Sequence, residues 1–265
     1  FRSSSGSLMA IWNQSTPQPE LSGHNYNTWV SRFDSIHGWL APEAIGNDVF
    51  ELDGTGYYNP QSLPGHYLPT LTVDQQGNAL ALWLQVAGAG GSYGITVNQF
   101  ENGSGWWTPE VIGATPADMS TGFSNDYSSI SLGGAGWGYF SWTVAEIFNS
   151  PPQTDLFAAI YKPATGWTTE KVLAASPSYC LRPAVHEGKN TTLHVFWLQV
   201  DANDVTHLFS KSRPSSGGWG AAMRLSSLSG GIGEYKTIRD DAGNVMVIWT
   251  QYVNGKGMVW AKVIN

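Results

Sequence analysis

The sequence is poor in cysteine, in charge and in long apolar runs. Cys180 is the only cysteine of the 265 residues, so the chain can form neither an internal disulfide nor a cysteine-based zinc site. A run of about 18 consecutive apolar residues, which a membrane-spanning helix requires, does not occur. We therefore predict no membrane span, and we expect Cys180 to be a small buried hydrophobic residue.

Positive charge is especially scarce. Charged residues make up 12% of the chain, and 13 Lys and Arg stand against 20 Asp and Glu, for a net charge of −7. Proteins that bind nucleic acid carry a basic patch or stripe, so nucleic acid is excluded as a partner. The hydrophobic content of 42% excludes a disordered chain. Low charge with abundant Ser, Thr, Asn and Gly predicts a secreted, periplasmic or cell-surface protein.

Glycine and tryptophan are abundant, and the tryptophans mark an internal repeat. The segments 74–85 and 240–251 both read Asp-x-x-Gly-Asn, four apolar residues, then Trp-x-Gln. Weaker copies bring the number of units to five, recurring about every 59 residues. The anchoring tryptophans are Trp12, Trp83, Trp142, Trp197 and Trp249. Their equivalent positions predict a packing role.

A second mark, Gly-Trp, recurs in phase with the first at 38–46, 105–113, 166–173 and 218–225. An alternating segment lies between the two marks, so each unit reads as four short strands, A to D, bounded by turn residues. The apolar B strands indicate burial on both faces. Repeated four-stranded antiparallel sheets predict an all-β fold of the β-propeller class.

The spacing predicts a single propeller domain over 1–265. We place five blades at 1–46, 65–113, 125–174, 180–226 and 233–265, with a loop inserted at 47–64. The first unit retains only the end of its strand A, and the fifth stops after strand C. We therefore expect the ring to be incomplete in this chain, and to be completed by flanking polypeptide, by self-association or by a neighbouring chain.

The two repeated marks resemble repeats of bacterial secreted propeller proteins. In size, low charge and Trp and Gly content, the chain is similar to five-bladed, tachylectin-like lectins, which bind amino sugars between blades. The resemblance is architectural and implies a lectin-like function. The repeat sequences differ, so it carries no binding residue over. The Ser-x-Asp-x-Gly-x-x-Trp box of sialidases is absent.

Aromatic residues outside the repeated positions are the candidates for ligand contact, because sugars stack their C–H faces on aromatic rings and bond their hydroxyls to amides or carboxylates. The Gln that follows the repeated Trp either satisfies local backbone groups or forms a repeated site for a hydroxyl-rich ligand. The candidate ligand-binding residues are Trp107, Trp29, Trp260, Trp137, Tyr252, Gln85 and Gln251; Tyr57 and Tyr58 are further aromatic candidates.

Catalytic and metal motifs are weak. Glycoside hydrolysis requires two carboxylates about 5 to 9.5 Å apart, whereas Asp74 and Asp240 fall in A–B turns, where Asp bonds its own backbone. Glu187, Glu234 and Asp126 lie near strand A and could face the channel. The outer-strand acids Glu43, Glu110 and Glu170 read as solvated surface, and 201–204 reads as a hairpin turn that lacks the central Gly and bidentate acid of a calcium loop. The histidines are scattered, so we expect no metal and no cofactor.

The sequence thus predicts a non-enzymatic, carbohydrate-binding module whose partner is a glycan or cell-surface polysaccharide. Two alternatives stay open. One is a structural or adhesive surface component whose ring another segment or chain completes. The other is a glycoside hydrolase-like enzyme with carboxylates facing the channel.

Overall fold

The computed structural model describes residues 8–18, 23–46, 66–86, 93–115, 128–133, 136–146, 153–176, 179–227 and 230–264. The chain divides into two compact units, Phe1–Gly122 and Phe123–Asn265, and each is described by itself. The predicted loop 47–64, with Tyr57 and Tyr58, lies outside the described residues, as does Asp126. In the described part of the chain, no helix has the length and apolarity needed to cross a membrane.

The first unit contains two antiparallel sheets. The strands of the first sheet are β1 (Leu8–Gln18), β2 (Gly23–Asp34), β3 (Gly38–Trp39) and β4 (Glu43–Ala44). Those of the second are β5 (His66–Val73), β6 (Ala79–Val86), β7 (Tyr93–Glu101), β8 (Gly105–Trp106) and β9 (Glu110–Thr115). Because β3 and β4 both pair with β2, and β8 and β9 both pair with β7, the outer strand of each sheet is interrupted once.

The second unit contains three antiparallel sheets. The third sheet is formed by β10 (Ser128–Leu132), β11 (Gly138–Glu146), β12 (Gln153–Lys162) and β13 (Gly166–Ser176). The fourth is formed by β14 (Cys180–Glu187), β15 (Leu193–Val200), β16 (Thr206–Arg213) and β17 (Met223–Arg224), with a single 3-10 turn at Lys189–Thr191. The fifth is formed by β18 (Ile232–Arg239), β19 (Val245–Val253) and β20 (Lys256–Ile264).

This topology confirms the predicted all-β class and its propeller blades. Every sheet is built from consecutive strands, each hydrogen-bonded to the next along the chain except at the two interrupted outer strands, where β4 pairs with β2 and β9 with β7. This is the connectivity of a propeller blade. Among the described residues, the first sheet comprises the predicted strands B to D and the fifth the strands A to C.

In the second unit, the repeated tryptophans Trp197 and Trp249 pack in the core between consecutive sheets. Trp197 is fully buried among residues of the third and fourth sheets, including Leu156 and Val195. Trp249 packs in the same way against Phe196 and Leu208 of the fourth sheet. Strand B is therefore covered on both faces, which explains its continuous apolar sequence. Cys180 is also buried there.

The Asp-x-x-Gly-Asn motif closes the A–B turn by bonds within itself. The Asp240 carboxylate accepts the backbone N–H of Asn244 at 2.7 Å and its side-chain amide at 2.6 Å. Asp74 and Asn78 repeat both bonds, at 2.8 and 2.9 Å. Gly243 has a φ of 77°, a left-handed conformation that favours glycine. The amide of Asn244 holds the pKa of Asp240 below its usual value, so this carboxylate serves the turn.

In the units of Trp12, Trp197 and Trp249, the Gln of Trp-x-Gln accepts a hydrogen bond from the repeated indole. The Oε1 atom of Gln199 lies 3.2 Å from Trp197 Nε1, and the same bond joins Trp12 to Gln14 at 3.2 Å. Residues two apart on a strand share one face, which explains the spacing. In the third sheet a valine, Val144, stands at the Gln position.

Replacing Val144 by glutamine is expected to raise the free energy of unfolding by about 1 kcal/mol. The reason is that Trp142 Nε1 is buried and has no acceptor among the described residues, and the variant would supply one. Urea denaturation measures the change. Val144→Leu, which adds bulk and no acceptor, should give no such gain, and equal stability of the two variants would contradict the expectation.

Candidate functional site

Three of the predicted ligand residues lie in the first unit. Trp107 follows β8 and its side chain is 51% exposed. Trp29 is half-buried and lies opposite Trp12 in the first sheet. The side-chain oxygen of Gln85 accepts the Thr96 hydroxyl at 3.2 Å. The structure gives these three residues separate surroundings.

Two further candidates, Trp137 and Tyr252, lie in the second unit and do not share a site. Trp137 is half-buried against Tyr139, and the Lys162 ammonium lies 4.7 Å from its ring centroid. The scaffold therefore accounts for Trp137. Tyr252 is exposed near the β19–β20 hairpin, and its backbone N–H donates to Gly231 O at 3.0 Å.

Trp260 and Met258 are exposed on the side of the fifth sheet that faces the fourth. Trp260 lies directly opposite Trp249, and Met258 lies opposite Gln251. Opposite residues of an antiparallel pair share one face, and Trp249 packs against the fourth sheet. Met258 is nevertheless 47% exposed and Trp260 43%. The outer part of this face is thus an open apolar surface.

The fourth sheet carries an exposed methionine on the side that faces the fifth sheet. Met223 of β17 pairs with Ser210, which shares a strand face with Leu208. Because Leu208 packs against the fifth sheet, the Met223 side chain lies on that side too. It is 52% exposed. We call Met223, Met258 and Trp260 the Trp260 crevice.

A buried amide closes the hairpin end of this crevice. Gln251 is 1% exposed, and its Nε2 donates to Ser227 Oγ at 2.6 Å and to Gly230 O at 3.2 Å. Its Oε1 accepts the Trp249 indole N–H at 3.4 Å. Gln251 therefore bonds to the protein itself, and it holds Ser227, a polar residue at the surface, beside the apolar crevice.

A buried polar cluster joins the third, fourth and fifth sheets at their A–B turns. Glu187 is buried, and Arg239 Nε donates to its backbone oxygen at 2.6 Å, with Arg239 Nη2 4.0 Å from its carboxylate. Burial and the Glu187 charge raise the pKa of Tyr139. A Cβ atom on Gly133 would overlap the Glu187 carboxylate. The cluster is packed shut and fits an inter-sheet contact better than a sugar site.

Two histidines extend this cluster, namely buried His194 and half-buried His186, and the sequence, in which the histidines are scattered, did not predict that they lie together. His186 Nε2 lies 2.8 Å from Thr237 Oγ1, and burial, with lesser effects of Arg239 and His194, lowers the pKa of His186 to about 4. Burial also lowers the pKa of His194. The sequence does mark His194 as unusual. His194 and Tyr139 each stand three residues before a repeated Trp, at a position where the other units carry Leu or Met.

The remaining polar candidates form structural contacts. Asp201 Oδ1 accepts the N–H groups of Asn203 and Val205 at 2.8 and 3.0 Å, and its other oxygen lies 3.1 Å from His207 Nε2. These backbone bonds, then His207, hold the pKa of Asp201 below its usual value. The predicted hairpin turn is thus observed. The described residues contain no group of three or more His, Cys, Asp or Glu that could hold a metal.

One outer-strand acid differs from the expectation of a solvated surface. Glu43 and Glu110 are exposed, but the Glu170 carboxylate accepts the Trp219 indole N–H at 3.1 Å and pairs with Arg213 at 2.9 Å. Trp219 and Arg213 belong to the chain of the fourth sheet, so Glu170 ties the third sheet to it. The sequence repeat could not show this contact, because its partner lies in the next blade.

No protein-family model matches the chain, and no curated protein matches it. Solved structures are similar. One is a Dyadobacter fermentans protein of unknown function, with a TM-score of 0.57 at 15% identity, covering 100% of this chain and 77% of that chain. Another is an ulvan lyase of polysaccharide lyase family PL25, with a TM-score of 0.55 at 10% identity, covering 100% and 69%. That lyase is also known bound to -[GlcA(1-4)Rha3S]-.

At these identities the likeness concerns the fold alone. It supports the predicted resemblance to propeller proteins. The more specific resemblance to tachylectin-like lectins is not supported. The class that the fold defines is an all-β propeller.

Proposed function

We propose that the protein acts on polysaccharide outside the cytoplasm and that the sugar chain binds in the Trp260 crevice. The observation that carries the proposal is the exposed Trp260 ring, which shares a strand face with exposed Met258 on the side towards the fourth sheet, where Met223 is exposed in turn. An aromatic platform with a polar group at its end suits a sugar ring, which presents C–H groups on its face and hydroxyls at its edge. Ser227, held by Gln251, supplies the polar end.

Degradation of the polysaccharide is favoured over the purely lectin-like binding that the sequence predicts. The support is the similarity over the whole chain to a polysaccharide lyase, at a TM-score of 0.55. Among the described residues, the buried carboxylate of Glu187 lies in closed packing, so it does not supply the open carboxylate pair of a hydrolase. The crevice is therefore proposed as the place where the chain binds for degradation.

Replacing Trp260 by alanine is expected to weaken polysaccharide binding about tenfold, because the stacking surface is removed. Affinity electrophoresis or calorimetry against a panel of neutral and acidic polysaccharides measures the effect. Trp107→Ala is the matched control, since Trp107 is 51% exposed but lies in the first unit. Loss of binding in Trp107→Ala alone would move the site to Trp107 and contradict the proposal.

Degradation is tested by incubating the protein with each polysaccharide that it binds. A fall in viscosity and the appearance of new reducing or unsaturated chain ends are expected, with Trp260→Ala slower at low substrate concentration. Binding without any chain cleavage would show a binding module and would exclude the degradative function.

A further inference from the structure

Basic residues are concentrated on the strands that border the Trp260 crevice. Strands β16, β17, β19 and β20 contain no Asp or Glu. They hold five of the 13 Lys and Arg residues of a chain whose net charge is −7. A local field of positive sign in an acidic protein selects for anionic ligands.

Three of these cations lie on the side of the fourth sheet that faces the third sheet, since Arg224 lies opposite Phe209, which packs there. The other two of the three are bound to residues of the third sheet. Lys211 Nζ donates to Val172 O at 2.6 Å, and Arg213 pairs with Glu170 at 2.9 Å. Both therefore stabilise contacts between the third and fourth sheets. The positive charge on the side that faces the fifth sheet must therefore come from other residues.

Lys256 and Lys262 share the strand face of Trp260. Alternate residues of a strand point to the same side, so Lys256, Met258, Trp260 and Lys262 form one row along β20. Both lysines are exposed, and neither forms an ion pair with a residue that the structure describes. At about 3.4 Å per residue, Lys262 lies about 7 Å along the strand from Trp260.

We propose that the Trp260 crevice selects acidic polysaccharide, whose carboxylate or sulfate groups pair with Lys262 and Lys256 while a sugar ring stacks on Trp260. The inference rests on the proposed function and names its substrate class. A neutral polysaccharide would leave both ammonium groups without partners. An acidic one gains two ion pairs and the long-range attraction of the basic strands, against the repulsion of a protein that is acidic overall.

The experiment compares three polymers, namely polygalacturonate for carboxylate, dextran sulfate for sulfate and dextran as the neutral reference. The variant Lys256→Gln/Lys262→Gln should bind polygalacturonate or dextran sulfate about tenfold more weakly at low salt, and the difference should vanish at 1 M salt, where screening acts within about 3 Å. Lys236→Gln is the matched control, since Lys236 is exposed on the other face of the same sheet, opposite Ile248. It should bind like the parent protein.

The outcomes separate this inference from the proposed function. Preference for either anionic polymer, lost in the lysine double variant alone, supports the inference and identifies the anionic group. If dextran binds as tightly as the anionic polymers, or if Lys236→Gln weakens binding as much as the double variant does, the inference is wrong, while the proposed polysaccharide function still holds. If no polysaccharide binds, the proposed function and this inference are both wrong. The same holds if the only effect of Trp260→Ala is to convert a dimer of the chain into monomers. Unchanged thermal unfolding of the variants excludes misfolding as the cause.

Discussion

Replacing Trp197 by alanine is expected to lower the free energy of unfolding by about 4 kcal/mol. The indole is fully buried, stacks on Phe209 with 5.7 Å between ring centroids, and packs among residues of two consecutive sheets. The change leaves a large cavity in the core, and it also removes the donor to Gln199. Urea denaturation, followed by tryptophan fluorescence and circular dichroism, measures it.

Trp39→Ala is the control for this prediction. Trp39 is exposed and touches Phe33 edge-on, at 5.6 Å between centroids. Removing this ring should lower the free energy of unfolding by only about 1 kcal/mol. If Trp197→Ala and Trp39→Ala lowered the free energy of unfolding by similar amounts, the repeated Trp would have no greater structural role than the Trp of the Gly-Trp mark, and the prediction would be wrong.

Acid is expected to destabilise the second unit through His186 and His194. The pKa of His186 is lowered to about 4 in the folded protein from 6.5, so the neutral ring is favoured in the fold. Its contribution is complete above about pH 6.5, where the unfolded chain is also neutral, and it is lost as the pH falls from about 6.5 to about 4. The shift corresponds to about 3 kcal/mol. His194 acts in the same direction.

The variant His186→Gln isolates this effect from the titration of carboxylates. The amide can still bond to Thr237 but carries no charge at any pH in the range. The free energy of unfolding, measured at intervals from pH 7.5 to pH 4, should fall more steeply in the parent protein than in the variant. Parallel curves would show that His186 does not couple folding to pH.

Much of the fold was predictable because its determinants are local and repeated. The turn motif that contains Asp240 and Gly243 forms all its bonds within five residues, so it reads the same in every unit that keeps it. Trp197 and Gln199 likewise interact within one strand. Such short-range chemistry predicts strands, turns and the number of sheets.

The site was predictable only in part. Trp260 stands out in the sequence as an aromatic residue outside the two repeated marks, although Trp29 stands at the equivalent strand-C position of the first blade. Its pairing opposite Trp249, and the presence of Met223 on the facing sheet, follow from register and from contacts between distant segments. Gln251 looked like a ligand residue, yet its amide holds the loop at Ser227, a contact 24 residues away in the chain.

The amino-acid sequence alone determined the all-β class, the five repeated sheets and the packing role of the buried tryptophans, since each depends on spacing within a unit. Tertiary structure decided which polar residues of one sheet meet those of the next, as with Glu170 and Trp219 or His186 and Thr237. It also decided that Trp260 lies exposed beside two lysines on one strand face. The physical reason is that periodicity encodes the two faces of a strand, whereas the neighbour on each face is set by how whole sheets pack.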